Sequence, residues 1–382
     1  MSASIASDDN DASIPHGHES SVDPTDVRTV LSAFKESSVL SRENSAGGDA
    51  GVDATVTYAS MRWKPRPSDA TWSFRVLYLV LFSSLLCSIV VGPFVLPLLF
   101  WPYVGWVLFI DRNTPERSGR PIQWMKNLNL WKSIASYFPV KLHREGEEFD
   151  KAQKYIFCYH PHGVISFGAF LSFATNALDF PALFPGINLR LLTLAFNFKL
   201  PFTRELLLSL GICSVSKTSI VNHLATGPGA AVCIVTGGAA ESLQAKPGTY
   251  QLTLKHRKGF AKVALQTGAC LVPVFGFGEN DVFDISKASS FVESVQKTIK
   301  RYLSFTVPLF HGTGITGLLP YQEPIFVVVG EPIKPRAPRD PKNITQEEID
   351  DLHAAYMRAL IDLYNRWKRS VSFNRVESLR VE

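Results

Sequence analysis

Hydrophobic and polar positions divide this chain into four stretches. The most abrupt is Val76–Ile110, 35 consecutive residues without a charge. As one helix it would extend roughly 52 Å, well past the ~30 Å hydrocarbon core of a bilayer. Gly92–Pro93 splits the run, and Pro97 and Pro102 disturb its second half. The pattern predicts a hairpin: Val76–Val91 in, a turn near Gly92–Pro93, Phe94–Ile110 back. Each arm reaches only about 25 Å, a short transmembrane span or a re-entrant loop. Arg62, Lys64, Arg66 and Arg75 precede the run, and Arg112, Arg117, Arg120 and Lys126 follow it. Basic residues on both sides place both ends in the cytosol. The competing reading is a helical hairpin buried in a soluble core.

Beyond the hairpin, short apolar runs alternate with helical stretches. Tyr155–Tyr159, Leu189–Ala195, Ala231–Val235, Cys270–Phe275 and Ile325–Val329 are continuously apolar, as strands buried on both faces are. Thr203–Leu210, Lys217–Ala225 and Gly259–Thr267 read as helices between them. Such alternation predicts a mixed or mostly parallel α/β sandwich. Near the C-terminus, Thr345 and Glu348 form a capping box ahead of an apolar stripe running from Ile349 to Trp367. The last two stretches merge, leaving three regions: an acidic tail over 1–60, a membrane hairpin over 70–111 and an α/β domain over 112–382.

Composition changes the picture at the N-terminus. Residues 1–60 hold ten Asp/Glu against three Lys/Arg and few aromatics. That composition predicts a disordered tail, with a short helix near Val27–Lys35, and neither a signal peptide nor a transit peptide. The other 322 residues carry 36 basic against 24 acidic side chains. Anionic lipid head groups or a phosphorylated substrate suit that balance; nucleic acid does not, because no zinc-finger or RNA-binding signature accompanies it. Five scattered cysteines without a C-x-x-C exclude a disulfide framework and a cysteine-rich zinc site.

Three motifs carry candidate chemistry. His160-Pro161-His162-Gly163 follows the first strong strand, where loops of an open α/β sheet build sites. Its imidazoles suit a general base; a metal pair and plain structural histidines are the alternatives. Gly237-Gly238-Ala239-Ala240-Glu241-Ser242 follows another strand. The glycines there present backbone amides for an oxyanion, and Glu241 is placed to orient an imidazole, unless the segment is a plain surface turn. His256-Arg257-Lys258-Gly259-Phe260 opens a helix. A basic start is the electrostatically wrong end, so an anionic phosphate is the natural complement; a solvated charge cluster is the bland alternative. Glu279 and Asn280, after the strand at 270–275, either line the same cleft or brace their loop. No G-x-S-x-G elbow, P-loop or dinucleotide fingerprint is present. An H-x-x-x-x-D motif is also missing, since Ile165 and Phe167 stand five residues beyond the two histidines.

HPHG at 160–163, Tyr137-Phe138-Pro139, GGAAES at 237–242, RKGF at 257–260 and LVPVFGFGEN at 271–280 together resemble the type-2 diacylglycerol O-acyltransferases, over roughly residues 70–369. The resemblance implies a glycerolipid-acyltransferase-like α/β sandwich with an N-terminal hydrophobic hairpin, in the endoplasmic-reticulum membrane and at lipid droplets. It implies esterification of diacylglycerol by acyl-CoA as co-substrate, with no cofactor and no metal. Monoacylglycerol or a long-chain alcohol is the alternative acceptor, and a homo-oligomer is left open. For such a reaction His162, nearest the flexible Gly163, is the expected base, with His160 positioning the loop or the thioester and standing as the alternative base. Glu241 would stand in for the missing Asp. Pro161, Gly237, Gly238, Arg257, Lys258, Gly259, Phe260, Glu279, Asn280, Tyr137, Phe138 and Pro139 would contact substrate. A non-catalytic lipid-binding protein and a metal-dependent hydrolase are the rivals from other classes.

Overall fold

A computed structural model describes residues 69–285, 309–314, 317–335, 340–371 and 379–381. The expected acidic tail and its short helix lie outside the described residues.

Among the described residues the strands are β1 Lys141–Arg144, β2 Tyr155–His160, β3 Asn188–Thr193, β4 Cys213–Ser214, β5 Ala230–Val235, β6 Gln251–Leu252, β7 Cys270–Phe277, β8 Asp284–Ile285, β9 Phe310–His311, β10 Phe326–Val329 and β11 Arg380–Val381. Seven form one sheet in the order β1-β10-β7-β2-β5-β3-β4. Only β10 and β7 pair antiparallel; every other neighbour in it is parallel. The sheet is therefore mixed, with β2, β5 and β7 buried along nearly their whole length. The five apolar runs became strands with ends shifted by a residue or two: three are longer, while β3 stops at Thr193 and β10 starts at Phe326. The short strands were not foreseen, because two to four residues are too few to show a period.

Strand alternation sets the two layers. On β2, Tyr155, Phe157 and Tyr159 point to one face, where Phe149, Phe173 and Phe184 pack. Cys158 and His160 share the other, beneath the long helix Gln346–Val371, whose Tyr356 and Tyr364 reach the sheet. The capping box at its start forms: the Thr345 amide donates to Glu348 Oε2 (3.0 Å) and the Glu348 amide donates to Thr345 Oγ1 (3.2 Å).

The apolar hairpin departs from expectation. Helix α1, Asp69–Leu86, runs on as a π-helical stretch over Cys87–Val95 that contains Gly92 and Pro93; the break falls at Leu96, before helix α2, Pro97–Phe109. Gly92 serves close approach rather than turning, since a Cβ there would meet the Phe100 ring at 2.2 Å. Pro97 opens α2, where its missing N–H costs nothing. The first turns of α1 belong to the fold's core: Phe74 is fully buried against Tyr137, Phe138 and Phe167. Among the described residues, no helix is long and apolar enough to cross a membrane. Even so, Leu79, Phe82, Phe94, Leu98, Leu99, Phe109 and Ile110 are all largely exposed.

Polar pins join these arms to helix α3, Thr203–Ser209. Arg204, 1% exposed, forms an ion pair with Asp111 Oδ2 (2.6 Å) and donates to the Asp111 carbonyl (2.6 Å) and to Glu205 (2.9 Å). Tyr103 donates to Glu205 (3.0 Å) and Ser88 to the Pro201 carbonyl (2.7 Å).

Candidate active site

The C-terminal ends of the parallel strands β2, β5, β3 and β7 lie on one edge of the sheet, where connecting loops converge. The end of β2 and the loop after it carry the two histidines, and the end of the strand between them gives them different fates. His160, the last strand residue, is fully buried. Its ring meets Tyr356 (3.0 Å) and Thr236 (2.8 Å), and burial pushes its pKa down to about 3. Near neutral pH the imidazole is therefore uncharged.

His162 lies past the strand and is half-buried. Its Nδ1 sits 3.0 Å from the Gly163 carbonyl oxygen. A carbonyl only accepts, so Nδ1 carries the proton and Nε2 keeps its lone pair. Burial lowers its pKa below the ordinary 6.5, and the nearby Arg257 cation lowers it further, so the ring is neutral near pH 7. The ring helps line an apolar cavity of about 480 Å³, together with Ile165, Ala169, Leu191, Leu192 and Ile212.

Glu241 is where sequence reasoning needs correction. It is 2% exposed, and its carboxylate does not hold the imidazole: Oε2 accepts from the His162 backbone amide (3.0 Å) and Oε1 from the Thr253 amide (2.8 Å). It fixes the loop that carries the ring. Burial raises its pKa to about 7, against the lowering effect of those amides and Arg257. Gly237 makes room for it, since a Cβ there would lie 1.7 Å from the Glu241 carboxyl carbon. Gly238, at φ +53°, lines the cavity beside the Arg257 guanidinium.

The remaining candidates separate. Arg257 is exposed at this rim. Lys258 is not a companion cation there: its Nζ pairs with Asp350 Oδ1 at 2.8 Å. Gly259 is exposed at the first position of helix Gly259–Thr267, and Phe260 is buried against Tyr356. Glu279 and Asn280 brace loops rather than line the cavity. Glu279 is fully buried, with Oε2 accepting from Tyr159 (2.5 Å) and the Gly168 amide (2.9 Å), and burial raises its pKa to about 7. Gly163 packs against its side chain, where a Cβ would come within 2.7 Å. Asn280 donates to the Thr249 carbonyl (2.8 Å). Pro161 is buried within its loop. Tyr137 and Phe138 belong to the core, Tyr137 donating to the Pro320 carbonyl (2.6 Å); Pro139, half-buried, leads from them toward β1. None of Tyr137, Phe138 and Pro139 lines the cavity.

Ser166, Thr193 and Asn197 were missed, although all line the cavity. Thr193 ends β3, so the strand-end rule applied to every strand would have found it. Ser166 donates to the His162 carbonyl (2.6 Å) four residues away, within reach of a local turn. Among the described residues, no group of three or more His, Cys, Asp or Glu could hold a metal ion.

Comparison with known proteins decides what this arrangement belongs to. The family model for diacylglycerol acyltransferase matches residues 90–382. The chain belongs to the diacylglycerol acyltransferase family. It is 46% identical over 306 residues to diacylglycerol O-acyltransferase 2A of Umbelopsis ramanniana, covering 77% of this chain and 83% of the relative. It is 43% identical over 287 residues to diacylglycerol O-acyltransferase 2 of Homo sapiens, covering 73% of each. Among solved structures, the 1-acyl-sn-glycerophosphate acyltransferase PlsC of Thermotoga maritima aligns at 13% identity with a TM-score of 0.38, over 78% of this chain and 99% of that one. Family membership places both histidines, the Gly237–Ser242 segment and Arg257 inside the shared region.

Proposed function

We propose that the protein transfers the acyl group of acyl-CoA to the free hydroxyl of diacylglycerol, giving triacylglycerol, with His162 as general base. Relatives named for this activity, aligned over most of their length, support the reaction. One observation carries the role of His162: its Nδ1 is held by a carbonyl, which leaves Nε2 with a lone pair beside an apolar cavity. The hydroxyl proton moves to Nε2 as the oxygen attacks the thioester carbon. Collapse of the tetrahedral species breaks the C–S bond, and the departing thiolate takes the proton back from the imidazolium. The first-turn amides after Gly237 have no partner within their helix and suit the oxyanion. Arg257 at the rim suits a phosphate of coenzyme A. Neither a metal nor a covalent enzyme intermediate is required.

The cavity suits a fatty chain. The exposed apolar arms and their basic flanks support seating in the endoplasmic-reticulum membrane, with both termini in the cytosol. Purified protein given labelled acyl-CoA with diacylglycerol, monoacylglycerol or fatty alcohol in turn tests the assignment. Turnover greatest with diacylglycerol is expected; a stronger preference for either other acceptor overturns the acceptor, and no turnover at all overturns the reaction.

A further inference from the structure

A second cavity, about 720 Å³, shares no lining residue with the one beside His162. Val104, Val107, Leu108 and Phe109 of α2 line it, and so do Arg112 and Lys199. Its apolar side is open: Leu108 is 55% and Phe109 86% exposed. Its polar end lies where α2 gives way to Asp111 and Arg112. Arg204 also lines it, but Asp111 and Glu205 already neutralise that cation. Arg112 and Lys199 are exposed and have no carboxylate partner among the described residues. The acid lining the cavity is Glu116, whose Oε1 accepts from Ser216 (3.0 Å). Two cations thus face one carboxylate, at the polar end of an apolar trough.

We propose that this groove holds one anionic phospholipid, its phosphate against Arg112 and Lys199 and one acyl chain along Val104, Val107 and Leu108. The inference rests on the reading that the arms lie in a membrane, since only there do the exposed Leu108 and Phe109 find apolar cover. Guanidinium and ammonium groups at an arm's cytosolic end meet the phosphates of the anionic leaflet, and a guanidinium can grip a phosphate in bidentate fashion. Binding there would hold α2 against the segment at 195–204, whose helix α3 supplies Leu207 to the catalytic cavity. The site is thus placed to couple membrane composition to the substrate chamber.

Native mass spectrometry of the full chain in neutral detergent tests this, with phosphatidylglycerol, phosphatidylcholine and palmitate as separate probes. Wild type should retain one phosphatidylglycerol in preference to the other two. Arg112→Gln with Lys199→Gln should weaken retention roughly thirtyfold, about fivefold per cation. Leu108→Trp should weaken it too, by filling the trough without changing charge. Unchanged triacylglycerol synthesis in phosphatidylcholine vesicles is expected of both variants and shows that they fold. Equal retention of phosphatidylglycerol and phosphatidylcholine, equal retention by wild type and the double variant, or palmitate held as tightly as phosphatidylglycerol would each overturn the proposal. Carbonate extraction separates the two failures. Full release of wild type from membranes sinks the membrane reading itself; a retained wild type beside an unaffected double variant sinks the groove alone.

Discussion

Glu241 accepts a hydrogen bond from the backbone amide of His162 at 3.0 Å, while the ring of His162 turns to the Gly163 carbonyl. The carboxylate therefore governs where the imidazole stands, and the neighbouring carbonyl governs which nitrogen is basic. Both Glu241 oxygens accept from N–H donors, so Glu241→Gln sets an amide NH₂ against one of them. Losing a bond to a charged group is worth ~1.5–3 kcal/mol, hence a roughly ten- to hundredfold fall in kcat. His162→Ala should cost ~10²–10⁴. The double variant should be little worse than His162→Ala, because one acts through the other; multiplying losses would show that Glu241 serves something else.

Rate against pH should carry the signature of His162. Burial and the Arg257 cation both hold its pKa below 6.5, so the acid limb of kcat should have its midpoint below that value. Arg257→Gln removes a positive charge that disfavours the imidazolium, so the limb should move to higher pH. A limb that stays in place would mean the titrating base is another group.

The two basic residues at 257 and 258 should behave differently. Arg257→Ala should raise the KM for acyl-CoA more than that for diacylglycerol, and added salt should mimic the change. Lys258 is tied to Asp350 in an exposed pair, so Lys258→Ala should leave both KM values within about twofold. Matching effects from the two substitutions would return Lys258 to the site.

Glu279 offers a stability test with a defined sign. Its folded pKa is raised from 4.5 to about 7 by burial, so the folded state binds the proton more tightly than the unfolded. Stability should therefore fall as pH rises from 4.5 to 7, and level off above. Glu279→Gln is always neutral, and its oxygen can still accept from Tyr159 and Gly168. Its unfolding temperature in detergent should vary less over that window. A slope equal to wild type would place the pH dependence elsewhere.

The catalytic cavity should read chain length. Val215 lines it and is half-buried. Val215→Phe should shift preference toward shorter acyl chains, scored as relative kcat/KM across a series of acyl-CoA lengths. An unchanged profile would mean that the chain lies outside the cavity.

The sheet was legible because β2, β5, β7 and β10 are buried on both faces, and continuous apolar runs record that directly. The C-terminal helix announced itself through Thr345 and Glu348. The histidine loop could be placed at a strand end, yet the difference between His160 and His162 could not be seen. It depends on where β2 stops and on Tyr356, 196 residues away. Glu241 misled because its partners are backbone amides, which every residue owns and no sequence marks. Tyr137 and Phe138 looked like site residues but are core residues, packed edge-on against Phe74 of an arm expected to lie in lipid. Gly92–Pro93 read as a turn because glycine and proline usually break helices; here the glycine admits the Phe100 ring.

The bond between His160 and Tyr356 also fixes an order of events at the ribosome. The apolar arms at 69–109 are synthesised well before β5, β7 or Glu279, and Tyr356 follows His160 by 196 residues. At cellular elongation speeds of ~5–20 residues per second, roughly 10–40 s separate the histidine loop from the helix that completes it. Throughout that interval the greasy arms are already out and looking for cover, while the loop that would handle substrate is unsupported. The nascent chain thus presents its exposed apolar segment first and completes the histidine loop only near the end of translation.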